Sequence, residues 1–224
     1  MAEYKKLTFD DIKDNYELKT YIECADKSLS MLGYTEHAFS HVNNVASMVE
    51  YILTKHKNPA RDIELGKIAA YMHDIGNLVN RVDHSQSGAI MAFRLLDKLG
   101  LDPSESAIIM TAIGNHDEGT GVPVSDVAAA LILADKCDVR RSRVRNQDIN
   151  SFDIHDKVNY SVTNALVNVL EEENTYVLDL TIDTEVSSVM DYFEIFIGRM
   201  VLCKKAAHHL GWVFRLNING QRVV

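Results

Sequence analysis

The stretch that decides the fold is Tyr71-Met-His-Asp-Ile-Gly-Asn-Leu-Val-Asn-Arg-Val-Asp-His84. It continues an apolar, helix-forming run over residues 63–70 and places His73 and Asp74 side by side, two residues before Gly76. Two titratable side chains at the inner end of an apolar helix are costly to bury without a partner. A divalent metal ion can pair with a neutral imidazole and a carboxylate together. The alternative is a helix C-terminal cap in which the two side chains hydrogen-bond to each other.

Further histidines and an aspartate occur at the ends or apolar faces of other predicted helices. Together with His73 and Asp74, the candidate metal ligands are His41, His84, His116 and Asp135. His41 shares a helix face with Val45 and Ile52 and should point inward, and His37, one turn earlier, could replace or support it. Separate helices that each deliver a His or an Asp are how a helical bundle builds a metal site in its core.

The composition describes one globular unit, or one with an appendage, since the chain has 224 residues of which 46% are hydrophobic. No apolar run approaches the roughly 18 residues of a membrane span, and the N-terminal sequence lacks the apolar region of a secretory signal. Three widely spaced cysteines indicate reduced thiols and a cytoplasmic protein. A net charge of -9 disfavours binding to nucleic acid.

Apolar periodicity and capping residues predict six helices before residue 150. They span 9–31, 36–56 with Thr35 as its cap, Asn58-Pro59 to His73-Asp74, Asp83 or His84 to Gly100, Asp102 to Asn115-His116, and Ser125 to about Arg143.

After residue 150 the pattern changes to strands over 165–170 and 176–182, a helix over 186–210 and a strand over 212–218. The predicted fold is therefore mainly α: a helical metal-binding domain over residues 1–150, with a small β-β-α-β extension over 151–224 packed on it. The apolar faces of the extension suggest a homodimer.

His41, His73-Asp74 and Asp135, in this order, resemble the H…HD…D signature of the HD-domain metal-dependent phosphohydrolase superfamily. The resemblance covers residues 35–145 and implies an all-helical bundle in which these four residues hold one metal ion. It also implies that Asp74 bridges to a second ion where an extended site exists. His73 and Asp74 would then be the central catalytic residues. A His-rich, carboxylate-bridged site suits one or two ions of manganese, iron, cobalt, nickel or zinc.

Two further segments resemble dinuclear members of that superfamily. His84-Ser-Gln-Ser-Gly-Ala89 is similar to their histidine-started helix, and Asn115-His-Asp-Glu-Gly-Thr-Gly-Val-Pro123 is similar to the HHE…GTGYP segment of the HD-GYP subgroup, which degrades cyclic dinucleotides. The sequence differs at Asn115 (His in that subgroup), Val122 (Tyr) and Asn77 (Lys). A dinuclear member that hydrolyses diadenosine tetraphosphate is another partial likeness.

The resemblance implies hydrolysis of a phosphate ester or anhydride in a nucleotide-like small molecule by a metal-activated water. One alternative is a metal-containing regulatory module that senses a nucleotide without turnover. Another is a phosphodiesterase or nuclease that cleaves a cyclic dinucleotide or RNA, which the acidic charge disfavours for nucleic acid.

Polar residues near the signature complete the predicted site. The predicted substrate-binding residues are Lys136, Arg140, Arg141, His37 and Asn77, and the predicted supporting residues are Asp138 and Asn115. The basic cluster could equally be a solvated helix end, and Asp138 could simply pair with Arg141. His155-Asp156 and His208-His209 fall outside the signature order and are predicted to be structural.

Overall fold

The computed structural model describes residues 4–224, and these form a helical body followed by a small sheet with two helices. The helices are α1 (Phe9–Lys13), α2 (Tyr16–Met31), α3 (Phe39–Lys55), α4 (Ala60–Met72), α5 (His84–Leu99), α6 (Pro103–Gly114), α7 (Asp126–Lys136), α8 (Ile154–Ser161) and α9 (Val189–His209). The strands are β1 (Val162–Leu170), β2 (Thr175–Ile182), β3 (Val213–Ile218) and β4 (Gln221–Arg222). The predicted fold class, mainly α with a C-terminal β part, is confirmed.

Helix α7 lies at the centre of the body, where α3, α4, α6 and α9 pack around it. Every residue from Val127 to Ala134 is buried. A helix that is apolar on all sides is stable only when other elements surround it. Its last turn therefore delivers Asp135 to the interior of the molecule.

A short 3₁₀ turn, Ile75–Leu78, joins α4 to the loop before α5 and brings the end of one helix against the start of the other. A Cβ atom at Gly76 would lie 1.9 Å from the His84 carbonyl oxygen and 2.5 Å from the Gly88 nitrogen. Only glycine allows this approach of two backbones. The turn thereby places His73 and Asp74 beside His84.

The sheet has the order β1-β2-β3-β4. Strands β1 and β2 form an antiparallel hairpin, with a shift in register between Val162 and Asn164. Strand β3 pairs with β2 in parallel after the α9 crossover, from Thr175 with Val213 to Leu180 with Ile218. The predicted β-β-α-β order is confirmed, and the two-residue strand β4 is an addition to it.

The C-terminal extension shares one hydrophobic core with the helical body, since buried side chains of α3, α7, α9 and the sheet form a single cluster. The Tyr51 hydroxyl on α3 accepts a hydrogen bond from the Val169 amide on β1. The boundary at residue 150 stays a prediction. In the described part of the chain, no helix combines the length and apolarity that crossing a membrane requires.

One predicted helix is interrupted, and one predicted helix start was wrong, because nearby side chains bind the backbone groups. The helix predicted over 9–31 is two helices, since the Asn15 side chain caps a new start by accepting from the Leu18 amide at 2.9 Å. Thr35 does not cap α3, which begins at Phe39. The Glu36 backbone is held outside the helix by the backbone and guanidinium of Arg143.

Two further differences occur in the second half of the chain. Helix α7 ends at Lys136, not near Arg143. Beyond it the chain turns so that the Arg143 guanidinium donates to the Asp138 carbonyl at 2.8 Å. Helix α8 was not predicted, although Asp153 caps it by accepting from the Asp156 amide at 2.7 Å.

Candidate metal centre

Four of the predicted ligands converge in the core from three helices. His41 comes from the first turn of α3, His73 and Asp74 directly follow the last residue of α4, and Asp135 lies in the last turn of α7. The Nε2 atoms of His41 and His73 lie 3.3 Å apart, and each lies 3.3–3.6 Å from Asp74 Oδ2 and from Asp135 Oδ1. Nitrogen and oxygen ligands about 2.0–2.2 Å from one ion lie roughly 3–3.5 Å apart. We call these four residues the first ligand group.

The hydrogen bonds of the two imidazoles fix which nitrogen is free. His73 Nδ1 lies 2.7 Å from the Ala70 carbonyl oxygen, and His41 Nδ1 lies 2.7 Å from Asp138 Oδ2. Both partners only accept, so each Nδ1 carries the proton and each Nε2 presents its lone pair. Two lone pairs facing each other at 3.3 Å are favourable only when a cation stands between them or one nitrogen is protonated.

A second ligand group, Asp74, His84 and His116, lies on the other side of the same carboxylate. Asp74 Oδ1 is 3.6 Å from His84 Nε2 and 3.9 Å from His116 Nε2, and the two nitrogens are 3.2 Å apart. The Nδ1 atoms of these histidines donate to the Arg81 and Ile113 carbonyl oxygens, at 3.1 and 2.6 Å. Here too, both Nε2 lone pairs face the shared carboxylate.

Asp74 joins the two groups, and one of its oxygens has no other partner. Asp74 Oδ2 is buried and accepts no hydrogen bond from the described residues. A buried carboxylate oxygen without a partner is expensive. Burial raises the pKa of Asp74, but His73 and its other histidine neighbours outweigh burial and hold that pKa well below its usual range. The orphaned oxygen and the donor set fit a bound divalent metal.

The electrostatics of His73 show that the first group favours a positive charge. Burial lowers the pKa of His73, yet the carboxylates of Asp74 and Asp135 outweigh it and raise that pKa to about 10. Burial, with a contribution from His73, holds the pKa of His116 well below its usual range. The two carboxylates of the first group therefore favour a cation between them, either a proton on His73 or a metal ion.

A chain of alternating charges connects this centre to the C-terminal extension. Lys136 Nζ lies 2.7 Å from Asp135 Oδ2 and 2.8 Å from Glu118 Oε2, and Glu118 Oε1 accepts from Arg199 Nε on α9 at 2.9 Å. Burial lowers the pKa of Lys136, but the two carboxylates outweigh it and raise that pKa. Lys136 is therefore a cation that fixes the orientation of Asp135.

A cavity of about 430 Å³ opens over the centre. We call it the central cavity. Asp74, His84 and Asp135 form part of its wall, and helices α8 and α9 contribute Asp153, His155, Asp156, Asn159, Phe196 and Arg199. The remaining lining residues are Leu32, Gly33, Tyr34, Thr35, His37, Arg81, Glu118, Lys136 and Arg143.

The predicted phosphate-binding arginines do not line the central cavity. Arg140 binds both oxygens of Asp138, at 2.6 and 3.1 Å, and lines a smaller cavity beside α3. Arg141 lies over the Tyr160 ring and donates to the Tyr160 carbonyl. Their placement argues against the predicted substrate contacts. Arg143, from the same cluster, is buried and does line the cavity.

The other predicted substrate-binding and supporting residues have mixed placements. Lys136 and His37 line the cavity. Asn77 donates to Asp74 Oδ1 at 3.0 Å and so holds the shared carboxylate. Asp138 follows α7 rather than lying on its face, and it contacts His41 directly. Asn115 donates to the Thr111 carbonyl, and no hydrogen bond joins it to either ligand group.

The two histidine pairs outside the signature differ from each other. His155 and Asp156 follow the signature residues in the sequence, yet they lie on the wall of the central cavity together with Asp74 and Asp135. His208 and His209 are on the surface of α9, where His209 Nε2 is 3.3 Å from Asp126 Oδ1. The prediction that His155 and Asp156 have only a structural role therefore needs revision, because α8 places both residues at the cavity.

Sequence reasoning missed several residues around the ligand groups. Arg81 precedes His84 by three residues within the segment from Tyr71 to His84, and this position could have marked it as a residue of the site. Asp117 and Glu118 directly follow His116, and Asp117 Oδ1 lies 3.9 Å from His84 Nε2. Arg199 is more than 60 residues from the nearest ligand, and nothing in its local sequence marks it.

Replacing Asp138 by alanine is expected to weaken metal binding by the first group about 10- to 100-fold, the usual effect of losing a histidine's supporting carboxylate. Without Asp138, the Nδ1 atom of His41 loses the acceptor that fixes its tautomer. Calorimetric titration of chelator-treated protein with Mn²⁺ measures this. Asp97→Ala, at an exposed position on α5, is the matched control. An affinity equal to that of the control would contradict the supporting role.

Comparison with known proteins agrees with this ligand order. The family model for the HD domain matches residues 38–140. The uncharacterized protein MJ1020 of Methanocaldococcus jannaschii is 26% identical, over 62% of this chain and 62% of that protein. The match thus spans less than two thirds of the archaeal protein.

A solved structure is also similar. It is the 1.45 Å crystal structure of a protein from an uncultured Thermotogales bacterium, described as a predicted HD superfamily hydrolase. It shares 28% identity with this chain, over 55% of this chain and 67% of that one, with a TM-score of 0.44. The segment that the family model matches contains His41, His73-Asp74 and Asp135 in their signature order, so this chain carries an HD domain over residues 38–140.

Proposed function

We propose that the protein is a metal-dependent phosphohydrolase that cleaves a phosphate ester or anhydride of a nucleotide-like small molecule. The observation that carries the proposal is the position of Asp74. Its carboxylate lies between two histidine-containing ligand groups on the wall of a cavity that also contains arginines. Carboxylate-bridged ligand groups beside cations are suited to displacement at phosphorus.

We infer that the candidate ligands divide between two ions. His41, His73, Asp74 and Asp135 would hold one divalent metal, and Asp74, His84 and His116 would hold a second. Bound there, the metals would supply a lowered pKa for water and neutralisation of phosphate oxygens. Hydrogen bonds and an ion pair hold three of the ligands in position. The pairs are Asn77 with Asp74, Asp138 with His41, and Lys136 with Asp135. Their role is to maintain the geometry before substrate arrives.

The lining of the cavity favours a small anionic substrate. Four cations, Arg81, Lys136, Arg143 and Arg199, line it together with five carboxylates, and bound metal ions would offset the charge of two of these, Asp74 and Asp135. Its volume of about 430 Å³ falls within the roughly 300–1,000 Å³ of small-molecule sites. The net charge of -9 opposes binding of a nucleic acid polyanion. A mononucleotide or dinucleotide fits both constraints.

Among the described residues, neither serine nor cysteine lines the cavity. Covalent catalysis by those nucleophiles therefore has no support at this site. Water is the nucleophile that the proposal uses, with Asp74 and Asp135 as ligands rather than as attacking groups.

The proposal is tested by hydrolysis assays on protein treated with a chelator and then supplied separately with Mn²⁺, Fe²⁺, Co²⁺, Ni²⁺ or Zn²⁺. Substrates are p-nitrophenyl phosphate, its bis-ester, nucleoside mono- to triphosphates and dinucleoside polyphosphates. Phosphate release that appears with one or more metals, and disappears with the chelator, is expected. Full metal binding without hydrolysis of any of these compounds would overturn the proposal and favour a nucleotide sensor.

A further inference from the structure

The side chain of Arg81 contacts the second ligand group and also lines the central cavity. Its Nη1 atom is 3.3 Å from His84 Nε2 and donates to Asn77 Oδ1 at 3.2 Å. Its guanidinium carbon is 5.6 Å from the centre of the Tyr34 ring, which also lines the cavity. Arg81 is thus the cation placed nearest to the ligand atoms of His84.

Arg81 contacts both nitrogens of the His84 ring. Its backbone carbonyl accepts from Nδ1 at 3.1 Å, which leaves the lone pair on Nε2. Its side chain then lies 3.3 Å from that lone pair. A guanidinium remains protonated in proteins and can only donate, so this contact uses the lone pair that a metal ion would need. Arg81 and a metal ion at His84 compete for the same electron pair.

The charge of Arg81 also differs from that of the other cations in the cavity. Lys136 and Arg199 pair with Glu118, and Arg143 lies 3.6 Å from Asp138. Within residues 4–224, Arg81 has no carboxylate partner, and its side-chain hydrogen-bond partners are Asn77 and His84. A half-buried arginine without a counter-ion beside a ligand cavity is suited to binding an anion.

We propose that Arg81 binds the phosphate group of the substrate, and that in the absence of substrate the same guanidinium competes with the second metal ion for His84. The substrate half rests on the proposed function, whereas the competition with metal does not. Position 77, four residues earlier in the 3₁₀ turn, holds an uncharged asparagine, so Arg81 is the cation of the segment between α4 and α5. Asn77 Oδ1 keeps the guanidinium at the mouth of the second ligand group.

The proposal predicts effects of opposite sign for Arg81→Ala. Removing the competitor should raise the affinity of the second ligand group for Mn²⁺ severalfold. Removing the counter-charge should weaken the binding of inorganic phosphate to the metal-loaded protein by about 10- to 100-fold, as expected for charge-assisted hydrogen bonds. A residue that only stabilised the loop would lower both affinities.

The test is a calorimetric titration of the chelator-treated 224-residue chain with Mn²⁺, followed by titration of the loaded protein with inorganic phosphate. Arg94→Ala is the matched control, since it removes the same charge from an exposed position on α5, where its partner is Glu17. Arg81→Lys keeps the positive charge but loses the planar set of guanidinium donors. Its affinity for phosphate should therefore lie between those of wild type and Arg81→Ala.

The proposed competition between Arg81 and a metal ion for His84 would be overturned by one result. In that result, the affinity of the second ligand group for Mn²⁺ is unchanged or lower in Arg81→Ala, while the affinity of the first group is intact. Phosphate binding equal to that of Arg94→Ala would overturn the substrate role. If Arg81→Ala does not fold, the same two titrations on Arg81→Lys decide. Absence of hydrolysis by the wild-type protein would refute the proposed function without altering the metal titration, so the two failures are distinguishable.

Discussion

Replacing Asp74 by alanine is expected to abolish metal binding at the second ligand group, weaken it strongly at the first, and reduce turnover by on the order of 10³-fold or more. Asp74 is the one residue common to both groups, and its Oδ2 atom has no other partner among the described residues. Elemental analysis and the hydrolysis assay measure the two effects. Asp97→Ala, an exposed aspartate on α5, should match wild type in both.

Thermal unfolding provides a readout of the Asp74 variant that does not depend on a substrate. A ligand that binds only the native state stabilises it by about 2.7 kcal/mol at 100 times its Kd. Added Mn²⁺ should therefore raise the Tm of wild type and of Asp97→Ala, and leave that of Asp74→Ala nearly unchanged. An equal rise in all three proteins would show that Asp74 is not a ligand.

Replacing Gly76 by alanine is expected to destabilise the protein by at least about 3 kcal/mol, or to prevent folding. The new methyl group would lie 1.9 Å from the His84 carbonyl oxygen, 2.5 Å from the Gly88 nitrogen and 2.7 Å from Ser87 Oγ. Two of these contacts are with backbone, so relief requires moving the start of α5 away from the end of α4. Urea unfolding measures the loss, and metal content should fall with it.

Gly198→Ala is the matched control for Gly76→Ala. Gly198 lies within α9, and a Cβ atom there would have no heavy atom within 4 Å. Alanine is favoured over glycine in a helix interior by roughly 0.5–1 kcal/mol, so this variant should be slightly more stable than wild type. A free energy of unfolding of Gly76→Ala close to that of Gly198→Ala would contradict the close approach of the two helices.

The sequence predicted the helix boundaries correctly where local capping residues determine them. Capping by Asp102 and the left-handed Gly100 delimit α5 and α6 as predicted. The candidate ligands stood out in the sequence because each lies at a helix end or on an apolar helix face. His41 and Asp135, 94 residues apart in the chain, come together because the α3 and α7 helices pack against each other.

The sequence was uninformative where side-chain partners come from distant segments. Lys136 was predicted to bind substrate, and no pattern in the sequence indicated that Asp135 and Glu118 pair with it inside the protein. The end of α7 was missed because Arg143 draws the Asp138 carbonyl out of the helix. Arg199 reaches the cavity only because α9 packs on α7, and no local pattern in the extension records that contact.

The measurement that tests the central claim most directly is the metal content of the purified protein, compared between wild type and His116→Ala. His116 contributes its Nε2 atom to the second ligand group, and a ligand atom of His116 also lies within 4.8 Å of ligand atoms of His73 and Asp135. We expect about two metal ions per chain in wild type and about one in His116→Ala, held by His41, His73, Asp74 and Asp135. One ion in both proteins would contradict the shared-carboxylate centre, and none in either after reconstitution would contradict a metal centre altogether.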